Sequence, residues 1–283
     1  MRILTIGSQG MLGSELRRQY QAESKHEFIG WDRPEIDITD QSQVDKKIHQ
    51  LKPDLVINCA AYNKVDKAEG DDHMLARTIN GYAVGFLAMA CKEINIPLVH
   101  FSSDYVFEGS NAEGYDEGSL PNPVSHYGAS KLLGEQELQK NTDRFFLIRT
   151  TRLFGPPAAS PDAKKSFVET LLNKARAGEE IKLVHEEQSS PTYVVDLAAA
   201  VRNFLDGEHA YGIYHRTNDG SCTWYEFGMK VFELAGLSPK VEAITSAEFP
   251  RPAARPKFSV LVSTKLPPMR RWDAALADYM KTL

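Results

Sequence analysis

Over roughly the first 150 residues, short apolar runs alternate with longer amphipathic ones. The runs "RILTI", "HEFIGW", "DLVINCA", "PLVHFSS" and "RFFLIRT" are almost wholly apolar, as strands buried on both faces must be. Between them, "MLGSELRRQY", "QSQVDKKIHQL", the segment from Asp72 to Glu93 and the segment after Tyr127 have helical patterning. Strands and helices in alternation predict βαβ units, hence an α/β fold with a doubly wound parallel sheet of Rossmann type. Past Arg149 the rhythm loosens. "FVETLLNKARAG" and "YEFGMKVFELAG" read as helices ending at glycine, "IKLVHE" and "GIYHRT" as strands, and "RWDAALADYMKTL" as a terminal helix. They predict a smaller C-terminal α/β lobe. Two loops rich in Gly, Pro, Ser and acidic residues, "EGSNAEGYDEGSLPNPVS" and "GPPAASPDAKKS", have the length of lids or binding loops.

Composition adds limits. A chain of 283 residues, 42% hydrophobic and 25% charged, can bury one large core or two modest ones. The net charge of −5, without long runs of one sign, points to no nucleic-acid and no membrane partner. Cys59, Cys91 and Cys222 are far apart and form no CxxC, so free thiols are expected. The N-terminus enters an apolar run at once and reaches Gly7, leaving no room for a signal peptide; the chain reads as cytoplasmic. The histidines show no metal-ligand spacing, and no bound metal is predicted.

The first candidate chemistry is "IGSQGMLG", which places Gly7, Gly10 and Gly13 between a predicted strand and a predicted helix. Glycine permits the tight turn and lets backbone approach a pyrophosphate, while free N–H groups at the helix start face the anion. Asp32 ends the next strand about 20 residues on, where an acidic side chain meets a ribose hydroxyl. The neighbouring Arg33 suits a 2′-phosphate, so NADPH or NADH is the expected cofactor.

The second is "HYGASK". At i and i+4, Tyr127 and Lys131 share a helix face. A phenol with a pKa of about 10 is a reluctant acid, but a nearby ammonium stabilises its phenolate, and it can then protonate an alkoxide. Alone, the pair is better explained by an amphipathic helix start with a snorkelling lysine. It is not alone. Ser102 and Ser103 end the fourth predicted strand, and open α/β sheets bind ligands at strand carboxyl ends. Tyr105 lacks a lysine at helical spacing.

The strings "GSQGMLG", "DITD", "NCAAYNKVDKAE", "SSDYVFEG", "YGASKLLGE", "SPTYVVDLA", "CTWYEF" and "RPKFS" resemble the dTDP-4-dehydrorhamnose reductase family of extended short-chain dehydrogenases over nearly the whole chain. The resemblance implies reduction of the 4-keto group of a dTDP-linked 6-deoxysugar, giving dTDP-L-rhamnose, with NADPH or NADH. It makes Tyr127 the proton donor, Lys131 the holder of the nicotinamide ribose and Ser103 the tuning hydroxyl. It places Gly10, Met11 and Leu12 on the pyrophosphate and Asp32 on the adenosine ribose, with Asp37, Ile38, Ala61, Tyr62 and Asn63 lining the cofactor groove. Ser103 and Asp104 would touch the sugar. It further implies that the chain crosses back: residues 1–151 with about 187–216 bind the dinucleotide, and about 152–186 with 217–283 form the substrate lobe.

Three departures bear on the nucleotide-sugar substrate. The family commonly has a tryptophan where "RTTRLFG" has Arg152, a cation that stacks and also binds phosphate or carboxylate. "EEQSSPTY" is a residue shorter than usual, and Asn63 and Lys64 replace threonine and a small residue. Arg251, Arg255 and Lys257 offer charge for a substrate diphosphate. Two alternatives stay open: a reductase or epimerase of another nucleotide sugar, or a non-catalytic dinucleotide-binding subunit. A homodimer is compatible with the sequence, which does not fix the oligomeric state.

Overall fold

The computed structural model describes residues 1–22, 25–160 and 166–283. Its elements are β1 (Arg2–Ile6), α1 (Met11–Ala22), β2 (Glu27–Trp31), α2 (Gln41–Leu51), β3 (Leu55–Asn58), α3 (His73–Arg77), α4 (Ala83–Glu93), β4 (Leu98–Ser103), α5 (His126–Asn141) and β5 (Phe145–Thr150). There follow β6 (Leu153–Phe154), α6 (Phe167–Arg176), β7 (Ile181–Val184), β8 (Gln188–Ser189), β9 (Thr192–Tyr193), α7 (Val194–Leu205), β10 (Gly212–His215), β11 (Cys222–Thr223), α8 (Trp224–Ala235), β12 (Val241–Ile244) and α9 (Trp272–Met280). A π-helical turn, Thr78–Tyr82, joins α3 to α4.

Six strands form a parallel sheet in the order β10-β5-β4-β3-β1-β2. Alternate strand residues face opposite layers. Leu4, Ile6, Val56, Leu98 and Leu147 meet α2, α4 and α5, while Ile3, Leu55, Ile57, Val99 and Ile148 meet α1 and α7. The sheet is therefore doubly wound. From β1 the chain moves outward to β2 and then crosses to β3 on the other side, so a topological switch point opens between the ends of β1 and β3. α7 packs on α1, and β10 closes the sheet beside β5. A separate core of Phe154, Leu171, Leu183, Phe227, Val231, Trp272 and Leu276 unites α6, α8 and α9 with β7, which pairs with β12.

Local chemistry sets the helix ends. Asp40 caps α2, its carboxylate accepting from the Gln43 N–H, and Thr223 with Glu226 forms a capping box on α8, which stops at the left-handed Gly236. The 21-residue run His73–Glu93 is long and apolar enough to cross a membrane by those criteria alone, yet Ala76, Ile79, Val84, Leu87 and Cys91 place it in the core under the sheet. The loop "EGSNAEGYDEGSLPNPVS" is pinned: the Tyr115 hydroxyl accepts from the Gly109 and Asn111 N–H groups and donates to Glu108, and Glu117 accepts from Thr264 and the His215 N–H. Of "GPPAASPDAKKS", residues 161–165 lie outside the described residues.

One buried ion pair ties α5 to the sheet. Arg149 on β5 grips Glu135 on α5 through two bonds of 2.9 and 2.6 Å, and both side chains are at most 2% exposed. The Arg149 guanidinium also lies over the Phe107 ring and reaches His215, which burial, reinforced by Arg149, holds down at about 4 and hence neutral. Arg149→Met, which strands the Glu135 charge, should cost about 3–5 kcal/mol in urea unfolding, whereas the double variant with Glu135→Leu should recover most of it. Equal losses in both would contradict this reading of the pair.

Candidate active site

Every parallel strand ends on the same edge of the sheet, and the candidate chemistry collects there. A shallow depression of about 500 Å³ at the opposite, amino-terminal edge is lined by Met1, Asp54, Pro97, Phe146 and Tyr211, none of which bears the chemistry expected of the site. At the switch point, Gly7 has φ +76°, and a Cβ there would lie 2.6 Å from the Ala60 nitrogen. A Cβ on Gly13 would lie 2.2 Å from the Gly7 carbonyl oxygen, so α1 is pressed on the turn. Gly10 differs: its Cβ would meet only the Gly7 oxygen, at 3.2 Å, leaving that side of the backbone approachable. Ser14 makes the first backward bond of α1, to Gly10, so the N–H groups of Met11, Leu12 and Gly13 precede any helical acceptor. This turn fits a pyrophosphate. Asp32 sits at its rim, accepting from the Ser8 hydroxyl at 2.6 Å and the Gln9 N–H at 3.2 Å. Arg17 donates to Ser8 at 2.7 Å, adding a cation at the same rim that the sequence alone did not single out.

Tyr127 lies in the first turn of α5, whose N-cap Ser125 accepts from the Gly128 N–H. A Cβ on Gly128 would sit 2.2 Å from the Tyr105 carbonyl oxygen. That close approach brings the helix start onto the end of β4, where Ser103 waits. Tyr105 meets the Tyr127 ring edge-on at 5.5 Å. The Tyr127 hydroxyl reaches Asn63 Oδ1 at 3.4 Å, while burial, with Asp104 and Tyr105 nearby, drives its pKa upward against a hydrogen bond with Ser103. Lys131 is 3% exposed and donates to the Phe101 carbonyl at 2.6 Å, two residues before Ser103. Burial pulls its ammonium down to about 8, and Glu135 opposes the fall. Ser103 accepts from the Tyr105 N–H and donates to Asp104. Asp104 is 2% exposed, and its carboxylate faces hydroxyls.

The predicted groove residues divide. Ile38 is buried below the groove, and Asp37 is exposed and held ionised by the Thr39 hydroxyl and N–H. Ala61 and Asn63 follow β3 at the carboxyl edge. Tyr62 is turned away, its hydroxyl donating to Asp72 at 2.6 Å. Its backbone is clamped by Asn80, which accepts from the Tyr62 N–H and donates to the Tyr62 carbonyl and to Ser130. Asn80 sits on the π-turn, and a lone asparagine in the apolar run "TINGYAVGFLAMA" was the signal for it.

Residues 1–283 match the family described as RmlD substrate binding domain. The chain belongs to that family. It is similar to the dTDP-4-dehydrorhamnose reductase of Streptomyces griseus, 34% identical over 100% of this chain and 94% of the relative. It is also similar to a Streptomyces antibioticus protein named "Probable dTDP-4,6-dihydroxy-2-methyloxan-3-one 4-ketoreductase", 36% identical over 98% of this chain and 94% of that one. The crystal structure of dTDP-4-dehydrorhamnose reductase from Bacillus anthracis in complex with NADP superposes with a TM-score of 0.93, at 34% identity, covering 100% of this chain and 99% of that chain.

Within this RmlD-family chain, Arg152 stands out. It is a non-glycine residue at φ +42°, a left-handed conformation that costs about 1–2 kcal/mol. The backbone turn aims its guanidinium between the carbonyls of Glu187 (2.7 Å) and Cys222 (3.0 Å), stacked 4.1 Å from the Trp224 ring. Burial disfavours its charge, and Asp104 and Glu187 are among the groups that oppose this. The loop "RPAARPKFS" is held by its arginines: Arg251 pairs with Glu187, and Arg255 grips Asp66 through bonds of 2.8 and 2.9 Å. Those two cations brace the rim of the site and are already matched by carboxylates. Gly128→Ala should push the start of α5 away from β4 and lower kcat by about 100-fold, with a smaller change in NADPH affinity. An unchanged kcat would show that the close approach does not position Tyr127.

Proposed function

We propose that this protein is an NAD(P)H-dependent reductase of the 4-keto group of a nucleotide-linked 6-deoxysugar, with dTDP-4-dehydrorhamnose as substrate and dTDP-L-rhamnose as product. The observation that carries it is the convergence of Tyr127, Ser103 and Lys131 on the strand edge that also holds the glycine turn. Residues 1–151 with about 187–216 would hold the dinucleotide, and about 152–186 with 217–283 the sugar. The N–H groups of Met11, Leu12 and Gly13 and the approachable Gly10 backbone would take the pyrophosphate, Asp32 the adenosine ribose, and Lys131 the nicotinamide ribose. When bound, the reduced cofactor supplies hydride to the keto carbon.

The chain's own part is to bind, orient and move a proton. Tyr127, kept protonated by burial and the nearby Asp104, is loaded to give its proton to the oxygen that becomes the sugar C4 hydroxyl. Ser103 orients that oxygen and the phenol. Lys131, as a cation, stabilises the phenolate left behind. Arg152, with guanidinium donors to spare beyond its two carbonyl bonds, would contact the sugar nucleotide. That side chain, where the family commonly has tryptophan, favours as second reading a related nucleotide sugar. The reaction uses neither a nucleic-acid nor a membrane partner, and we place it in the cytoplasm.

Two measurements test this. Tyr127→Phe should lower kcat for NADPH oxidation with dTDP-4-dehydrorhamnose by at least about 100-fold while leaving NADPH binding intact; unchanged turnover would remove the assignment. For the free enzyme, kcat/KM should fall as pH rises through about 8, because Lys131 is charged below that value and neutral above it. A profile that stays level well beyond pH 8 would show that its charge is not needed.

A further inference from the structure

A single hydroxyl at the rim of the glycine turn joins an arginine to an acid. Ser8, 1% exposed, donates to Asp32 Oδ2 at 2.6 Å and accepts from Arg17 Nη2 at 2.7 Å, so guanidinium and carboxylate lie no more than two hydrogen bonds apart. The Gln9 N–H donates to the other Asp32 oxygen at 3.2 Å. Arg17 starts from the middle of α1 and reaches the turn across β2. Its guanidinium lies over the Phe28 ring, 5.9 Å from the centroid, and a Cβ on Gly30 would sit 2.5 Å from its Nη2, so a bare strand position leaves the guanidinium its place. We infer that Arg17 is the residue that lets this chain take NADPH: its guanidinium binds the 2′-phosphate of the adenosine ribose beside Asp32, and so sets the preference between NADPH and NADH.

The distribution of charge separates Arg17 from its neighbours. Arg18, next along α1, is paired with Glu15, and Arg2 with Glu27. Among the described residues Arg17 forms no ion pair, and its hydrogen bond goes to a neutral hydroxyl, which leaves the rest of its N–H fork for a ligand. A ribose whose hydroxyls meet Asp32 carries its 2′ oxygen to the same place. A phosphate there is repelled by the Asp32 charge and is held only by a cation at close range. Arg33, the cation beside Asp32 in the chain, is exposed, and its charge helps, behind the Thr39 hydroxyl and N–H, to hold Asp37 ionised. It is thus turned toward another acid, whereas Arg17, distant in the sequence, shares the hydroxyl that Asp32 binds. NADH, without the phosphate, needs only Asp32.

This inference rests on the dinucleotide reading of the glycine turn, and its test separates the two. Calorimetry on the whole chain measures the binding of adenosine 2′,5′-bisphosphate and of 5′-AMP, which differ only in the 2′-phosphate. Arg17→Met, which keeps an unbranched stem over Phe28, should lower the ratio of bisphosphate to AMP affinity by at least about tenfold, and Arg33→Met by less than about threefold. Arg17→Lys, which keeps the charge without the fork, should fall between Arg17→Met and the wild type. The NADPH-to-NADH ratio of kcat/KM with the keto sugar should follow the binding ratio. The assignment is overturned by a ratio that Arg17→Met leaves unmoved, by a larger fall in Arg33→Met, or by a wild type that binds AMP and not the bisphosphate. An equal loss of both nucleotides in Arg17→Met, the result of an arginine that only braces the turn, overturns it too. A wild type that binds neither nucleotide removes the dinucleotide reading along with it. If the ratio moves while the wild type reduces no nucleotide 4-keto sugar, Arg17 keeps its role and the reductase reading falls.

Discussion

The site depends on the contact between Gly128 and the Tyr105 carbonyl, where no side chain fits between a helix start and the end of a strand. Any larger residue would hold α5 off β4 by more than the length of a hydrogen bond can absorb. With glycine there, Tyr127 and Lys131 come down on the strand that carries Ser103, and the helix is fixed in rotation by Arg149 gripping Glu135 one turn beyond Lys131. The glycine turn of β1 follows the same logic at the switch point, with Gly7 against Ala60 and Gly13 against the turn itself. Parallel strands do the rest by ending on one edge.

That edge is costly to build. Lys131, Asp104, Arg149 and Glu135 are all nearly buried, and each must be matched by a partner, as an uncompensated charge would destabilise the fold by several kcal/mol. The matching is what gives the groups their chemistry. Lys131 falls to about 8 because it is buried, and Tyr127 holds its proton because it is buried with Asp104 close by. Stability and reactivity are thus set by the same burial.

The sheet was legible because its inner strands β1, β3, β4 and β5 are buried on both faces and so are nearly uninterrupted apolar runs, although the edge strand β2 is only half-buried, and "MLGSELRRQY" and "QSQVDKKIHQL" became α1 and α2 within a turn of the expected bounds. The short strands β6, β8, β9 and β11 were not: each is two residues long, and β8 pairs with β11 far along the chain. In the site, local motifs were readable and distant partners were not. Tyr127 and Lys131 announce themselves at helical spacing, whereas nothing in the sequence links Ser259 to Asp104 or Arg152 to Trp224, since only the fold brings them together. Arg251 and Arg255 show the converse: their charge was visible, but its consumption by Glu187 and Asp66 was not.

The proposed reaction delivers hydride to a sugar carbonyl whose oxygen is protonated at this edge. It is tested most directly by a single turnover of excess enzyme with NADPH carrying deuterium at the transferable nicotinamide position and dTDP-4-dehydrorhamnose. The product should carry one deuterium on sugar C4 by mass spectrometry, with the oxygen-bound hydrogen exchanging from solvent. Unreacted sugar, or product free of deuterium at C4, would contradict it.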